Sequence, residues 1–168
     1  GDMFALVWDN KKKSVRALNG SGRAPAAANI DELTGKGYRA MPDIGVYSVA
    51  TPGTVHGWET LLNDCGTMPL SKVLEPAINY AENGFPVSDI ISVQWQQQLG
   101  KLSTFPSGTE MLPNGVTPSQ GDFVKLPTLA ATLRAIGDGG SKAFYTGPIA
   151  EKTCAFVTRR ASPTSACR

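Results

Sequence analysis

The sequence predicts a helix-rich α+β fold in which one β-hairpin precedes a series of amphipathic helices. Two extended runs near the start, Phe4 to Trp8 and Val15 to Leu18, are joined by polar residues, as in a hairpin. Farther along, apolar residues recur at helical spacing between proline starts and glycine stops. With 168 residues, 41% of them hydrophobic and 18% charged, the chain has about the size and composition of one globular domain.

The segment after the hairpin should contain a short helix, an extended run and a longer helix. A helical turn is predicted around Ile30 to Leu33. The apolar run from Gly45 to Ala50 is too short for a helix and is compatible with a strand. Val55 to Asn63 carries its large apolar residues at helical spacing, and we expect Gly66 to end that helix in the left-handed conformation.

The middle of the chain predicts two further helices. Pro69 begins the first, because a proline in the first turn sacrifices no hydrogen bond, and Gly84 ends it. Pro76 should kink or divide that helix, since it removes a backbone N–H and crowds the preceding turn. Ser88 is a good N-cap for the second helix, Asp89 to Lys101.

The last third of the chain begins with a loop by composition. Ser103 to Lys125 is rich in proline, glycine, serine and threonine, and a loop of that length favours a site-flanking or subunit-contacting role. Pro127 should begin a helix that ends at Gly137 to Gly140, and a last amphipathic helix should span Ile149 to Val157. Residues 158–168 are basic and aperiodic, which predicts a disordered or aberrant tail.

Composition argues against several function classes. The net charge of +2 is too small to predict binding to nucleic acid or to an anionic membrane, and no run of about 18 apolar residues predicts a membrane span. Three cysteines, Cys65, Cys154 and Cys167, lack metal-site spacing and do not form an even disulfide set. The single histidine, His56, excludes an ordinary multi-histidine metal site within the chain. We therefore expect no metal and no cofactor.

One stretch, Leu18 to Pro25, is a candidate binding site and is named the Arg23 loop below. Gly20 and Gly22 flank Ser21 and would let backbone N–H groups approach a bound group closely. Arg23 offers a planar set of donors suited to a carboxylate. On spacing alone, a solvated arginine beside a glycine-shaped turn remains the alternative.

Nine sequence blocks carry a family resemblance. They are Gly1 to Val7, Asn19 to Ala26, Thr51 to Val55, Gly66 to Leu70, Pro76 to Ile78, Gly84 to Val87, Leu112 to Gly115, Leu126 to Ile136 and Ala143 to Gly147. In order and spacing, from residue 1 to about 152, they resemble the large-subunit region of the gamma-glutamyltranspeptidase family. From Cys154 onward the resemblance is lost.

The resemblance implies an incomplete part of the αββα fold of the N-terminal-nucleophile hydrolases. In that class a precursor cuts itself into two chains, and the new terminal threonine of the small chain attacks an amide or gamma-glutamyl bond. Its own α-amine serves as the base, and backbone donors hold the oxyanion. Transfer to water is hydrolysis and transfer to an amino acid or peptide is transpeptidation, with glutathione as the usual donor.

The resemblance also implies what this chain lacks. A strand is predicted only four residues from Gly1, so we expect a fragment, with residues 1–157 as a partial large-subunit domain. The small subunit that carries the catalytic threonine is the expected partner, and no catalytic residue is expected in this chain. Thr54 with His56 imitates a Thr-x-His start but lies inside a large-subunit block, so we do not assign Thr54 as the nucleophile.

The expected substrate contacts are Arg23, Ser21, Gly22 and Gly20. True transpeptidases of the family usually place an arginine three residues before the Ala-Pro pair, where it holds the α-carboxylate of the gamma-glutamyl group. Ser21 occupies that position here, and Arg23 is displaced by two residues. Either Arg23 reaches the same carboxylate from a different backbone position, or the enzyme is a related acylase with another acyl group. A third hypothesis is a noncatalytic product that retains only an interaction surface.

Overall fold

The structure, a computed structural model, describes residues 1–104, 106 and 108–160 of the chain. The strands in these ranges are β1 (Phe4–Asp9), β2 (Ser14–Asn19), β3 (Phe85–Pro86) and β4 (Phe123–Val124). The helices are α1 (Ile30–Gly35), α2 (Thr54–Cys65), α3 (Leu70–Asn83), α4 (Asp89–Gln97), α5 (Leu99–Thr104), α6 (Gly108–Met111), α7 (Pro127–Tyr145) and α8 (Pro148–Arg160). The helix-rich α+β prediction is therefore confirmed.

The chain divides into two compact units. The first unit contains Gly1–Leu70 and the segment from Gly139 onward, and the second contains Ser71–Asp138. None of the helices in the described ranges is long and apolar enough to cross a bilayer.

The hairpin of the first unit follows the predicted pattern. Strands β1 and β2 pair antiparallel from Phe4 opposite Asn19 to Asp9 opposite Ser14. The Asp9 carboxylate shapes the connection by accepting the N–H groups of Lys11 and Lys12, at 2.9 and 3.1 Å. Along β1 the residues alternate between exposed and half-buried, so one face of the hairpin is turned away from the unit.

Helix α2 confirms the predicted helix but ends differently at Gly66. The backbone of Gly66 is extended, with φ −79° and ψ 159°, and is not left-handed. Its N–H still bonds the Leu62 carbonyl at 2.8 Å, and a Cβ built on Gly66 would lie 2.6 Å from that oxygen. A larger residue would therefore clash with the last turn of α2, which explains the glycine. The position of Gly66 in the sequence did not reveal this contact.

The second unit holds most of the buried apolar side chains among the described residues. Helices α3 and α7 and strand β4 contribute the core residues Leu74, Ala81, Val124, Ala130, Leu133 and Ile136. Strand β3 pairs with β4, with Phe85 opposite Val124. The N–H of Leu126, just before α7, bonds the Ala81 carbonyl at 2.7 Å, so backbone bonds join the elements of this core.

The structure corrects two further expectations for the first half of the chain. Val46–Ser48 forms a 3₁₀ turn and not a strand, because a short apolar run does not distinguish the two. Helix α3 begins directly after Pro69, as predicted, and continues through Pro76, so the division of the helix that we expected as one of two effects of Pro76 does not occur. Pro76 is exposed, so the Lys72 carbonyl that loses its N–H donor can be hydrated.

The second half differs from the prediction at helix boundaries. The run from Asp89 is capped by Ser88 as expected, but Gln98 interrupts it and separates α4 from α5. The N–H of Gln98 bonds Trp95, three residues back, which tightens the last turn and ends α4. The predicted loop at 103–125 contains α6 and β4. Helix α8 runs through Arg160, past the boundary expected at Val157, and residues 161–168 lie outside the described residues.

The predicted end of α7 at Gly137 to Gly140 coincides with a break in the helix. Gly140 has φ +65° and ψ −161°, which is not helical, and residues 141–145 form a further helical segment. A positive φ of this kind is accessible to glycine at little cost. Ser141 and Tyr145, which follow the break, contact α2, as described below.

Candidate functional site

The Arg23 loop is held against the chain at both of its ends. At the start, the backbone of Gly20 exchanges two hydrogen bonds with that of Met3, at 3.1 and 2.7 Å, and so extends the hairpin ladder. At the end, the Thr51 N–H donates to the Arg23 carbonyl at 2.9 Å. The loop is thus fixed by backbone bonds on either side of Ser21 and Gly22.

Glycines let the Arg23 loop pack directly against the turn before α2. A Cβ on Gly22, whose φ is +89°, would lie 1.9 Å from the Thr51 oxygen. A Cβ on Gly53 would lie 2.4 Å from the Gly20 oxygen and 2.6 Å from the Gly22 nitrogen. We expected the loop glycines to admit a bound group, but the Cα of Gly22 faces the protein's own backbone. The substrate-binding roles of Gly20 and Gly22 remain predictions.

Arg23 and Ser21 differ in how far their side chains are engaged. The Ser21 hydroxyl makes a long contact of 3.5 Å with the Gly22 carbonyl, and the Ser21 N–H donates to the Asn19 side chain at 3.1 Å. Arg23 is exposed, and its guanidinium makes no hydrogen bond or ion pair with any residue that the structure describes. All five N–H donors of the guanidinium are therefore available to a ligand, while hydrogen bonds fix the backbone of the loop.

Tyr145 anchors the turn that supports the Arg23 loop. Its hydroxyl donates to the Pro52 carbonyl at 2.6 Å and accepts the N–H of His56 at 3.2 Å. Sequence analysis missed this residue because the bonds join positions about 90 residues apart, and a tyrosine between a helix and a glycine carries no local signal of such a role. His56 itself is exposed on the first turn of α2.

Glu59 of α2 binds the start of the helical segment that carries Tyr145. Its carboxylate accepts the Ser141 N–H at 3.1 Å and also the Ser141 hydroxyl. These two hydrogen bonds, the hydroxyl first, hold the pKa of Glu59 below its usual value, with a smaller contribution from the nearby His56. The lowered pKa keeps the carboxylate ionised, and the carboxylate binds the N-terminal end of the helical segment 141–145.

Thr54 and Cys65 lie at the two ends of α2. The Thr54 hydroxyl is buried and has no hydrogen-bond partner within the described residues. Cys65 is exposed, and Arg16 reaches its sulfur at 3.7 Å while bonding Asp64 at 2.5 Å. Within the described ranges, no three histidine, cysteine or acidic side chains cluster as metal ligands would.

The helix-rich α+β fold with its hairpin is part of the fold that N-terminal-nucleophile hydrolases have. The family model of gamma-glutamyltranspeptidase matches residues 1–166, and the chain belongs to that family. The match continues past Cys154, where we expected the resemblance to be lost.

Named relatives and solved structures agree with the family. The chain is 34% identical to the glutathione hydrolase-like YwrD proenzyme of Bacillus subtilis, over 96% of this chain and 31% of the relative. It superimposes on Helicobacter pylori gamma-glutamyltranspeptidase with a TM-score of 0.89 at 26% identity, covering 96% of this chain and 48% of that one. It superimposes on a cephalosporin acylase from Bacillus halodurans with a TM-score of 0.84 at 33% identity, covering 94% of this chain and 31% of that one. The chain thus spans less than half of each of these proteins.

Proposed function

We propose that this chain is part of an enzyme that hydrolyses or transfers gamma-glutamyl groups from glutathione and related amides. The nucleophile is the N-terminal threonine of a small subunit that lies outside this chain. The observation that carries the proposal is the exposed guanidinium of Arg23, which no described residue engages, on a loop fixed by backbone bonds. The names of the Helicobacter and Bacillus subtilis relatives support the same substrate class.

In this proposal the chain binds and orients the acyl donor. The Arg23 guanidinium pairs with the α-carboxylate of the gamma-glutamyl group, and Ser21 adds one neutral hydrogen bond. The threonine hydroxyl of the small subunit then attacks the amide carbon while its own amine takes the proton, and the departing amine is protonated. Water or an amino acid releases the acyl group from the threonine. Arg23 acts on substrate binding, because the α-carboxylate that it holds is remote from the amide that reacts.

The decisive experiment removes the guanidinium in the full-length, processed parent enzyme. Arg23→Ala should raise KM for a gamma-glutamyl substrate by about tenfold or more, because a hydrogen bond to a charged group contributes about 1.5–3 kcal/mol. Arg39→Ala is the matched control: Arg39 is also an exposed loop arginine of the first unit, without a side-chain partner among the described residues. Kinetics of Arg23→Ala equal to those of Arg39→Ala would contradict the role of Arg23.

A second candidate, an acylase with a different acyl specificity, is favoured by Ser21. The serine stands where the family's transpeptidases usually carry the carboxylate-binding arginine, and a cephalosporin acylase is among the similar structures. A panel of acyl amides tested on the processed parent separates the two functions. A preference for glutathione would reject the acylase hypothesis. A preference for acyl groups without an α-carboxylate supports it, and Ser21→Arg should then raise kcat/KM for the gamma-glutamyl substrate.

A further inference from the structure

The Tyr145 hydroxyl uses both its donor and its acceptor capacity on the turn that precedes α2. It donates to the Pro52 carbonyl at 2.6 Å and accepts from the His56 N–H at 3.2 Å. A phenol has one proton to donate, and here that proton is committed to Pro52. The bond therefore connects residue 145 directly to the backbone that carries Thr51 and Gly53.

The segment that presents Tyr145 is itself anchored one helical turn earlier. Gly140 breaks α7 with φ +65°, and a Cβ at that position would lie 2.6 Å from a carboxylate oxygen of Glu59. Glu59 accepts two hydrogen bonds from Ser141, the first residue after the break. Residues 141–145 are thus tethered at both ends to the segment 52–59, which fixes where the phenol lies.

The segment Thr51–Gly53, named the Pro52 turn below, contacts the Arg23 loop through backbone atoms, without intervening side chains. Thr51 donates to the Arg23 carbonyl at 2.9 Å, and the Thr51 oxygen faces the Cα of Gly22. Gly53 packs against the Gly20 carbonyl in the same way. Because backbone contacts backbone, no flexible side chain can absorb a shift of the turn, and the loop must follow it.

We propose that Tyr145 is a positioning residue for substrate binding, whose hydroxyl holds the Pro52 turn where it presents Arg23 to the acyl donor. This role rests on the proposed function, in which Arg23 contacts the substrate. Tyr145 acts through Pro52 and Thr51 and touches no reacting atom. Its removal should therefore weaken substrate binding and leave the chemical step unchanged.

The test is the substitution Tyr145→Phe in the full-length parent. It deletes one oxygen and keeps the ring, which lies edge-on to Phe144 with 5.0 Å between the ring centroids. We expect KM to rise about three- to tenfold, the equivalent of one hydrogen bond, with kcat unchanged. Amide hydrogen exchange should be faster at Thr51, whose N–H bonds Arg23, as well as at His56. Tyr80→Phe is the control, because Tyr80 is 57% exposed and its hydroxyl has no partner among the described residues.

A double variant separates this proposal from the assignment of Arg23. If Tyr145 acts through the Arg23 loop, Tyr145→Phe should add no further rise in KM to Arg23→Ala. Additive effects would overturn the proposal. So would unchanged exchange at Thr51 in Tyr145→Phe, or a lower melting temperature with unchanged KM and exchange. Arg23→Ala with normal kinetics would instead reject Arg23 as a substrate contact, while the exchange at Thr51 still decides whether Tyr145 positions the loop.

Discussion

The backbone oxygen of Thr51 occupies the place where a side chain on Gly22 would begin, 1.9 Å from a Cβ built there. This contact joins the Arg23 loop to the turn before α2. It also accounts for Gly22 in physical terms, because φ +89° and the neighbouring oxygen each disfavour any other residue.

Gly22→Ala should destabilise the protein by at least about 2 kcal/mol, since left-handed backbone alone costs an alanine about 1–2 kcal/mol and the clash adds to it. Chemical denaturation of the full-length protein measures the change. Gly35→Ala is the control: a Cβ on Gly35, the last residue of α1, would contact nothing within 4 Å. That substitution should stay within about 1 kcal/mol of the wild type. Equal effects of the two variants would show that the Gly22–Thr51 contact is not required.

The Glu59 carboxylate should contribute a pH-dependent part of stability. Its pKa in the folded protein is lowered from 4.5, mainly by the Ser141 hydroxyl and then by the Ser141 N–H. The contribution is therefore complete above about pH 4.5 and is lost as the pH falls through the lowered pKa. The difference in melting temperature between wild type and Glu59→Gln should be largest near neutral pH and should shrink toward pH 3.

Asp43→Asn provides the comparison for that titration. Asp43 is exposed, and its side chain has no hydrogen-bond or ion-pair partner within the described residues. Because no such bond is lost, Asp43→Asn should change the melting temperature little. A Glu59→Gln curve that runs parallel to the wild-type curve would refute the role assigned to the Glu59 carboxylate.

Ile136 in α7 should be among the positions of the second unit most sensitive to truncation. It is 2% exposed, so Ile136→Ala leaves a cavity and should cost about 2–5 kcal/mol. Ile90→Ala, at a position 65% exposed in α4, should cost less than about 1 kcal/mol. Both variants make the same change from isoleucine to alanine, so urea unfolding of the full-length protein compares their free energies of unfolding directly. Similar losses in the two variants would contradict the packing described for α7.

The 168-residue chain produced alone should self-associate through the exposed face of the hairpin. Phe4, Leu6 and Trp8 are 68%, 79% and 57% exposed, and Val15 on the neighbouring strand is 60% exposed. Leu6→Lys should lower the apparent mass measured by light scattering over a concentration series. Ile30→Lys, at an equally exposed position on α1, should have little effect. A monomeric wild-type chain with a cooperative melt would contradict the prediction.

Local sequence signals predicted most elements but not several of their ends. The hairpin could be predicted because its strands and polar connection are adjacent in the chain. The cap at Ser88 was predicted for the same reason, since its bond to Ile91 is three residues away. Gln98, which ends α4 early, carries no breaker signal, and Val46–Ser48 has an apolar pattern that strands and short turns share.

The long-range contacts that hold the Arg23 loop could not be predicted from the sequence. Residue types and spacing singled out Arg23, Ser21 and the glycines beside Ser21, while the family resemblance places Ser21 at the arginine position. Their substrate contacts remain predictions. The reason for Gly22 lies at Thr51, about 30 residues on, and the anchor of the turn lies at Tyr145. Such contacts depend on how distant segments meet, which no periodicity or spacing within either segment expresses.

The backbone contact between the Arg23 loop and the Pro52 turn has a consequence for redesign of the candidate site. A stretch such as Leu18 to Pro25, transplanted by itself into another member of the family, would arrive without the surface that shapes it. The smallest portable cassette comprises the loop, the turn at Thr51–Gly53 and the aromatic residue at position 145. Libraries that vary only Ser21 and Arg23 and keep the rest of the loop, the Thr51–Gly53 segment and Tyr145 unchanged would alter the side chains offered to a ligand. The backbone contacts that hold the loop would be retained.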